Sequence, residues 1–142
     1  MVFCVAGKGT RVKGKEDELT VITRAKELCQ YILVVTDRSP KKFRFTLVSR
    51  MQNYALDIIE NLYLANTILL KSGTSEEKIW QRQEYQRSAM VTLRLLAYIA
   101  MIGRECQCIT GKQHSVMADK IMETQRLLYA WAKSDQKRIE TG

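Results

Sequence analysis

At 142 residues, with 46% hydrophobic and 27% charged residues, the chain has the make-up of one folded domain and not of a disordered segment. No apolar run reaches the ~20 residues needed to cross a bilayer, and the start, MVFCVAGKGTRVKGK, lacks the pattern of a secretory signal, so a cytoplasmic protein without membrane contact is expected. The formal net charge of +8 points to a polyanionic partner, nucleic acid before any other.

Residues 1–16 include Gly7, Gly9 and Gly14 and read as a flexible basic arm. Its AGKGT lacks the glycine-x4-glycine-Lys-Ser/Thr spacing of a phosphate loop, and no nucleotide site is expected there. A first helix is expected over 19–36, where Ile22, Ala25, Leu28, Cys29, Ile32 and Val35 recur at three- and four-residue steps and share one face. YILVV is β-branched, but the polar Arg24, Lys26, Glu27 and Gln30 keep the helical period. Pro40 ends the segment, because the residue before a proline is pushed out of the helical region.

The second helix has the clearest pattern. Val48, Met51, Ala55, Ile58, Leu62, Ala65 and Leu69 alternate steps of three and four, a heptad seam widened by Leu47, Tyr54 and Ile59 as a bundle helix requires. KSGTS stops it. Thr74 then opens a third helix through TSEE, in which Glu77 reaches back to the Thr74 amide as a capping box. Its inward stripes are Ile79, Met90, Leu93, Ala97 and Ala100, with Leu96, Ile99 and Gly103 beside them. Thr110 caps a fourth helix whose Met117, Ile121, Leu128 and Trp131 face inward, and KSDQKRIETG follows as a frayed polar end. The expected fold is all-α: an up-down-up-down four-helix bundle over 17–134, preceded by the arm 1–16 and followed by a polar tail 135–142.

Catalytic chemistry is not expected. His114, the single histidine, lies in a polar stretch and reads as a surface residue. Cys106 and Cys108 would point to opposite sides of a helix, and a zinc site would need two further ligands. All four cysteines read as reduced thiols. The Glu-x-x-His pairs of di-metal bundles are absent, and Trp80 and Trp131 read as packing residues. No metal or cofactor is expected.

Cationic side chains on a helical frame remain. SPKKFRFTLVSR (39–50) holds Lys41, Lys42, Arg44 and Arg50, with Arg38 just before it, at a helix start where anions are the favoured neighbours. Phe43 and Phe45 lie between them, either to stack on bases or, the simpler reading, to pack over the bundle end. Arg82, Arg87 and Arg94 recur on the third helix, with Arg87 and Arg94 on nearly the same side. The acids Glu76, Glu77 and Glu84 cluster in the first third of that helix, which leaves these two without close acidic partners in sequence. The guanidinium fork suits phosphate through paired, charge-assisted hydrogen bonds. Lys41, Lys42, Arg44, Arg50, Arg87 and Arg94 are the candidate binding residues.

Residues 39–66, SPKKFRFTLVSRMQNYALDIIENLYLAN, resemble the second-helix signature of the accessory variability determinant (Avd) proteins of diversity-generating retroelements: a proline, bases, an Arg-Phe-x-Leu turn and an alanine-containing heptad ending in Ala-Asn. LRLLAYIAMIG (93–103) is similar to that family's third helix, and residues 110–134 to its fourth, which closes on a tryptophan. The resemblance implies a four-helix bundle assembled as a basic homopentameric ring. It also implies a non-catalytic accessory that binds a reverse transcriptase, RNA and cDNA and supports mutagenic retrohoming. On that resemblance Arg94 falls at the base of the Leu-Arg motif, and Lys41, Lys42 and Arg44 in the basic turn. The chain departs from the pattern in Tyr129-Ala130 where the family has Gly-Gly, in Tyr98 where it has a second base, and in the arm 1–16. Bundles encoded in ribosomal-RNA intervening sequences share much of the second-helix pattern and imply the alternative, a structural or interaction protein with no polymerase partner.

Overall fold

The four amphipathic patterns become four helices in the computed structural model, which describes residues 13–141: α1 (Lys13–Thr36), α2 (Ser49–Thr67), α3 (Glu76–Glu105) and α4 (Gly111–Thr141). No strand occurs among the described residues. α1 packs on α2 and α4, and α3 packs on the same two helices, so α1 and α3 stand diagonally across the core of a four-helix bundle. Leu28, Ile32, Met51, Ile58, Leu62, Leu93, Leu96, Met117, Ile121, Leu128 and Trp131 are fully enclosed. At about 1.5–3 kcal/mol for each large side chain removed from water, this shared core is what holds the helices together.

Six of the seven expected seam positions of α2, from Val48 to Ala65, are buried. Leu69 is 62% exposed, because the helix ends at Thr67 and Ile68 turns extended. α1 begins earlier than expected, at Lys13, so it takes in the last residues of the expected arm; residues 1–12 lie outside the described residues.

Two caps repay comparison with the sequence. The Thr74 hydroxyl is engaged within the turn by the Lys71 amide at 3.0 Å and the Lys71 carbonyl at 2.8 Å, beside Gly73 at φ 89°. Ser75 is therefore the N-cap of α3, its Oγ accepting from the Lys78 amide at 3.2 Å, and the expected pairing of Thr74 with Glu77 does not form. At α4 the expected Thr110 cap is reciprocal: Thr110 Oγ1 accepts from the Gln113 amide and Gln113 Oε1 from the Thr110 amide, both at 3.0 Å. α3 closes with Gln107 at φ 65°, the Gln107 amide bonding the Arg104 carbonyl at 3.1 Å and the Cys108 amide the Gly103 carbonyl at 2.7 Å. This pair of bonds is the Schellman closure, here built without glycine at its left-handed position.

The expected frayed tail is corrected. α4 continues to Thr141, and Asp135 within it is only 2% exposed. Its carboxylate accepts from Arg82 Nε at 2.7 Å, Arg82 Nη2 at 2.9 Å and Gln86 Nε2 at 2.8 Å. Arg82 Nη1 donates onward to the Ile68 carbonyl at 2.6 Å, and the guanidinium lies 5.1 Å from the Trp131 ring. Arg82 thus satisfies a carbonyl left over at the C-terminal end of α2 while locking α3 to α4. A polar sequence hides this because the ion pair joins residues that are 53 positions apart.

The alternating directions of the helices sort the connections to two ends. The α1–α2 and α3–α4 connections line one cleft. The α2–α3 connection meets the end of α4 at the other pole, where Arg138 Nη2 donates to the Leu70 carbonyl at 3.1 Å.

Candidate nucleic-acid interface

The turn from α1 into α2 is built in steps. Thr36 Oγ1 donates to the Ile32 carbonyl at 2.6 Å and accepts from Gln52 Nε2 at 3.0 Å, pinning the end of α1 to the first turns of α2. After Pro40 the chain makes a 3-10 turn (Lys41–Phe43) and a π-helical turn (Arg44–Val48) before α2 becomes regular. Neither turn has a side-chain cap or an acid at its start. Lys41 and Lys42 on the tight turn and Arg44 and Phe45 on the wide one are all exposed.

The two phenylalanines divide between the two readings. Phe43 is half-buried against the core with Lys42 Nζ 5.1 Å from its ring, and it packs over the bundle end as expected. Phe45 is 85% exposed and does not. An apolar ring held in water among cations, on an ordered turn, offers a free face to a planar ligand.

Topology adds bases that sequence order hides. Arg104, at the end of α3, lines the same cleft as Arg38, and Lys112 follows in the first turn of α4. Residues 36–50 and 103–114 together hold seven cationic side chains (Arg38, Lys41, Lys42, Arg44, Arg50, Arg104, Lys112) against Asp37 and Glu105. More than half of the chain's net +8 is therefore gathered at one pole. Arg104 and Lys112 were missed because they stand some sixty residues from the basic turn. The available signal was the two antiparallel helices between them, α2 out and α3 back, which return the chain to the same end.

Of the six predicted residues, Lys41, Lys42, Arg44 and Arg50 fall on or beside this pole. Arg50 is engaged with its own helix, Nη1 donating to the Tyr54 hydroxyl at 3.2 Å over a ring 5.7 Å away. Arg87 and Arg94 line a separate groove between α3 and α4, with Met90, Val91, Leu128 and Tyr129. At 1.5 Å of rise per residue they lie roughly 15–25 Å from Arg104 along α3. The sequence expectation for Arg87 is corrected: Glu84, one turn before it, pairs with its guanidinium. Arg94 is exposed and has no carboxylate partner among the described residues. Arg82, the third member of that arginine row, is spent in the core.

Among the described residues no three of His, Cys, Asp and Glu gather as metal ligands, and no helix is long and apolar enough to cross a membrane. Cys29 and Cys108 are buried, which pushes both thiols above their ordinary value, while Cys106 is exposed. The Ser39 hydroxyl beside Cys108 opposes part of that rise. Searched against known proteins, the chain matches no family model and no curated protein.

Proposed function

We propose that this protein is a non-catalytic accessory of a diversity-generating retroelement, of the Avd kind: a basic scaffold that binds a reverse transcriptase with its template RNA and cDNA during mutagenic retrohoming. The observation that carries the reading is the pole where seven cations face two carboxylates around an exposed Phe45. Such a surface binds phosphates by releasing their counterions, without reading sequence, and a ring in water can take a base by stacking. The resemblance over 39–66, 93–103 and 110–134 supplies the polymerase partner. Arg94, the unpaired base of the α3 groove, is the second contact we assign.

The same reading includes a ring-shaped homo-oligomer, a pentamer on the resemblance. Val91, Leu95, Tyr98 and Ile102 are exposed along one narrow stripe of α3, with Leu56 and Tyr63 exposed on α2. Apolar side chains in a contiguous row on a helix normally meet a partner. Light scattering at micromolar concentration is expected to give a multiple of 16.4 kDa, and Leu95→Glu with Ile102→Glu to reduce it to the single-chain mass. A wild-type mass of one chain would remove the ring from the reading.

The decisive experiment is a pull-down of the full chain with the reverse transcriptase encoded beside it, with and without the template RNA. Co-purification that Lys41→Ala/Lys42→Ala/Arg44→Ala weakens is the expected result. RNA binding with no polymerase capture, or no reverse-transcriptase gene nearby, favours the intervening-sequence type of interaction bundle. Failure to bind RNA, DNA or polymerase at low ionic strength rejects both the partner and the surface.

A further inference from the structure

The end of the bundle contains a cleft of ≈ 600 Å³ between the α1–α2 and α3–α4 connections. Arg38, Ser39, Arg104, Gly111 and Gln113 are among its lining residues, and no carboxylate is. Arg38 and Arg104 have no ion-pair partner among the described residues. Two like charges that border one concavity repel each other, and no carboxylate of the lining offsets them.

The placement of Arg104 sharpens the point. A Cβ built on Gly111 would lie 3.5 Å from Arg104 Nε and 3.8 Å from Nη2. The guanidinium therefore rests against the first residue of α4, a helix of 31 residues whose N-terminal end carries a partial positive charge of about one half. A cation laid on the positive end of a helix is the reverse of the arrangement that stabilises helices. The reciprocal cap of Thr110 and Gln113 uses the amides of those two residues. The Gly111 and Lys112 amides lie before the first helical acceptor and have no carbonyl within α4 to reach. Ser39, whose hydroxyl lies beside the Cys108 thiol, is on the same wall.

We infer that this cleft is a phosphate site, in which one tetrahedral oxyanion is shared by Arg38, Arg104 and the first amides of α4. Arginine forks supply paired, charge-assisted hydrogen bonds, and the amides supply fixed donors. The phosphate comes either free from solution or as the terminal monoester of a strand held on the basic pole. In the second form the inference rests on the nucleic-acid reading above.

The test uses the full-length protein with inorganic phosphate as the probe. Titration followed by amide NMR is expected to move the Gly111 and Lys112 signals saturably, while the same concentration of chloride leaves them in place. Arg38→Gln/Arg104→Gln is expected to abolish the movement with the melting temperature retained, since both side chains are exposed. A second arm compares one short RNA carrying a 5′-phosphate with the same RNA carrying a 5′-hydroxyl. About tenfold tighter binding of the phosphorylated strand, lost in the double variant, assigns the site to strand ends. Equal binding of both strands with a saturable phosphate response assigns it to free phosphate. No phosphate response and no advantage for the phosphorylated strand overturns the site even if RNA binds well. If neither RNA binds but phosphate does, the nucleic-acid reading falls and the phosphate site stands.

Discussion

Removing the Asp135 carboxylate is the sharpest probe of how the basic frame is held. Asp135→Ala would leave the Arg82 guanidinium, itself 2% exposed, without the acceptors at 2.7 and 2.9 Å that neutralise it. Breaking one side of a buried ion pair costs about 3–5 kcal/mol. That is a large share of the roughly 5–15 kcal/mol that keeps a domain folded. At about 2–4 °C per kcal/mol for a chain near this size, the melting temperature should fall on the order of 10 °C. Arg82→Met should cost a similar amount, because it takes the nearest cation from buried Asp135, leaving it Gln86 at 2.8 Å and Arg138 at 3.6 Å, and strands the Ile68 carbonyl that Arg82 reaches at 2.6 Å. The double variant Arg82→Met/Asp135→Leu removes both charges and should recover most of the loss. It keeps a penalty of about 1–3 kcal/mol for each group left unpaired, the Ile68 carbonyl and the Gln86 side-chain amide. Urea unfolding at fixed protein concentration, followed by circular dichroism and tryptophan emission, measures all four states. A cost below ~1 kcal/mol for Asp135→Ala would refute the reasoning, because an uncompensated buried charge costs more than that. The last turns of α4 would then not be docked.

Phe45→Ala should leave stability within about 0.5 kcal/mol, as an exposed side chain does, while weakening single-stranded RNA binding by about 1–3 kcal/mol in fluorescence anisotropy; Phe43→Ala should do the converse and lower the melting temperature. Arg94→Ala should reduce the slope of log affinity against log salt by about 0.7 on a single strand, and Arg87→Ala should change it less, because Glu84 already balances that guanidinium. Equal slopes for the two variants would contradict the assignment of Arg94. Among Cys29, Cys106 and Cys108, iodoacetamide at pH 8 should label Cys106 in the native protein, read by peptide mass. Burial holds the other two thiols above 9.0, so their contribution to stability is complete below that value and is lost as pH rises through their higher folded values. Melting temperature should accordingly decline on the alkaline side, and labelling of Cys29 at a rate equal to Cys106 would argue against its enclosure.

The helical period alone specified the bundle. Buried apolar side chains at Met51, Ala55, Ile58 and Leu62, or at Met117, Ile121 and Leu128, must share one face whatever lies opposite them, and local chemistry such as the Thr110 cap was readable for the same reason. Chain order, however, carries no information on which charges meet across the bundle. The Arg82–Asp135 pair, the neutralisation of α2's carboxyl end and the placing of Arg38 and Arg104 on one cleft all depend on helices running back past one another. Even the two phenylalanines of the basic segment went separate ways, because residues two apart on a helical path point to different sides, and only that of Phe43 meets the core. The sequence by itself determined four helices and an excess of positive charge. Tertiary structure decided which of those charges were paired inside and which were left at the surface, since the state of a charge is fixed by its spatial neighbours and not by its neighbours along the chain.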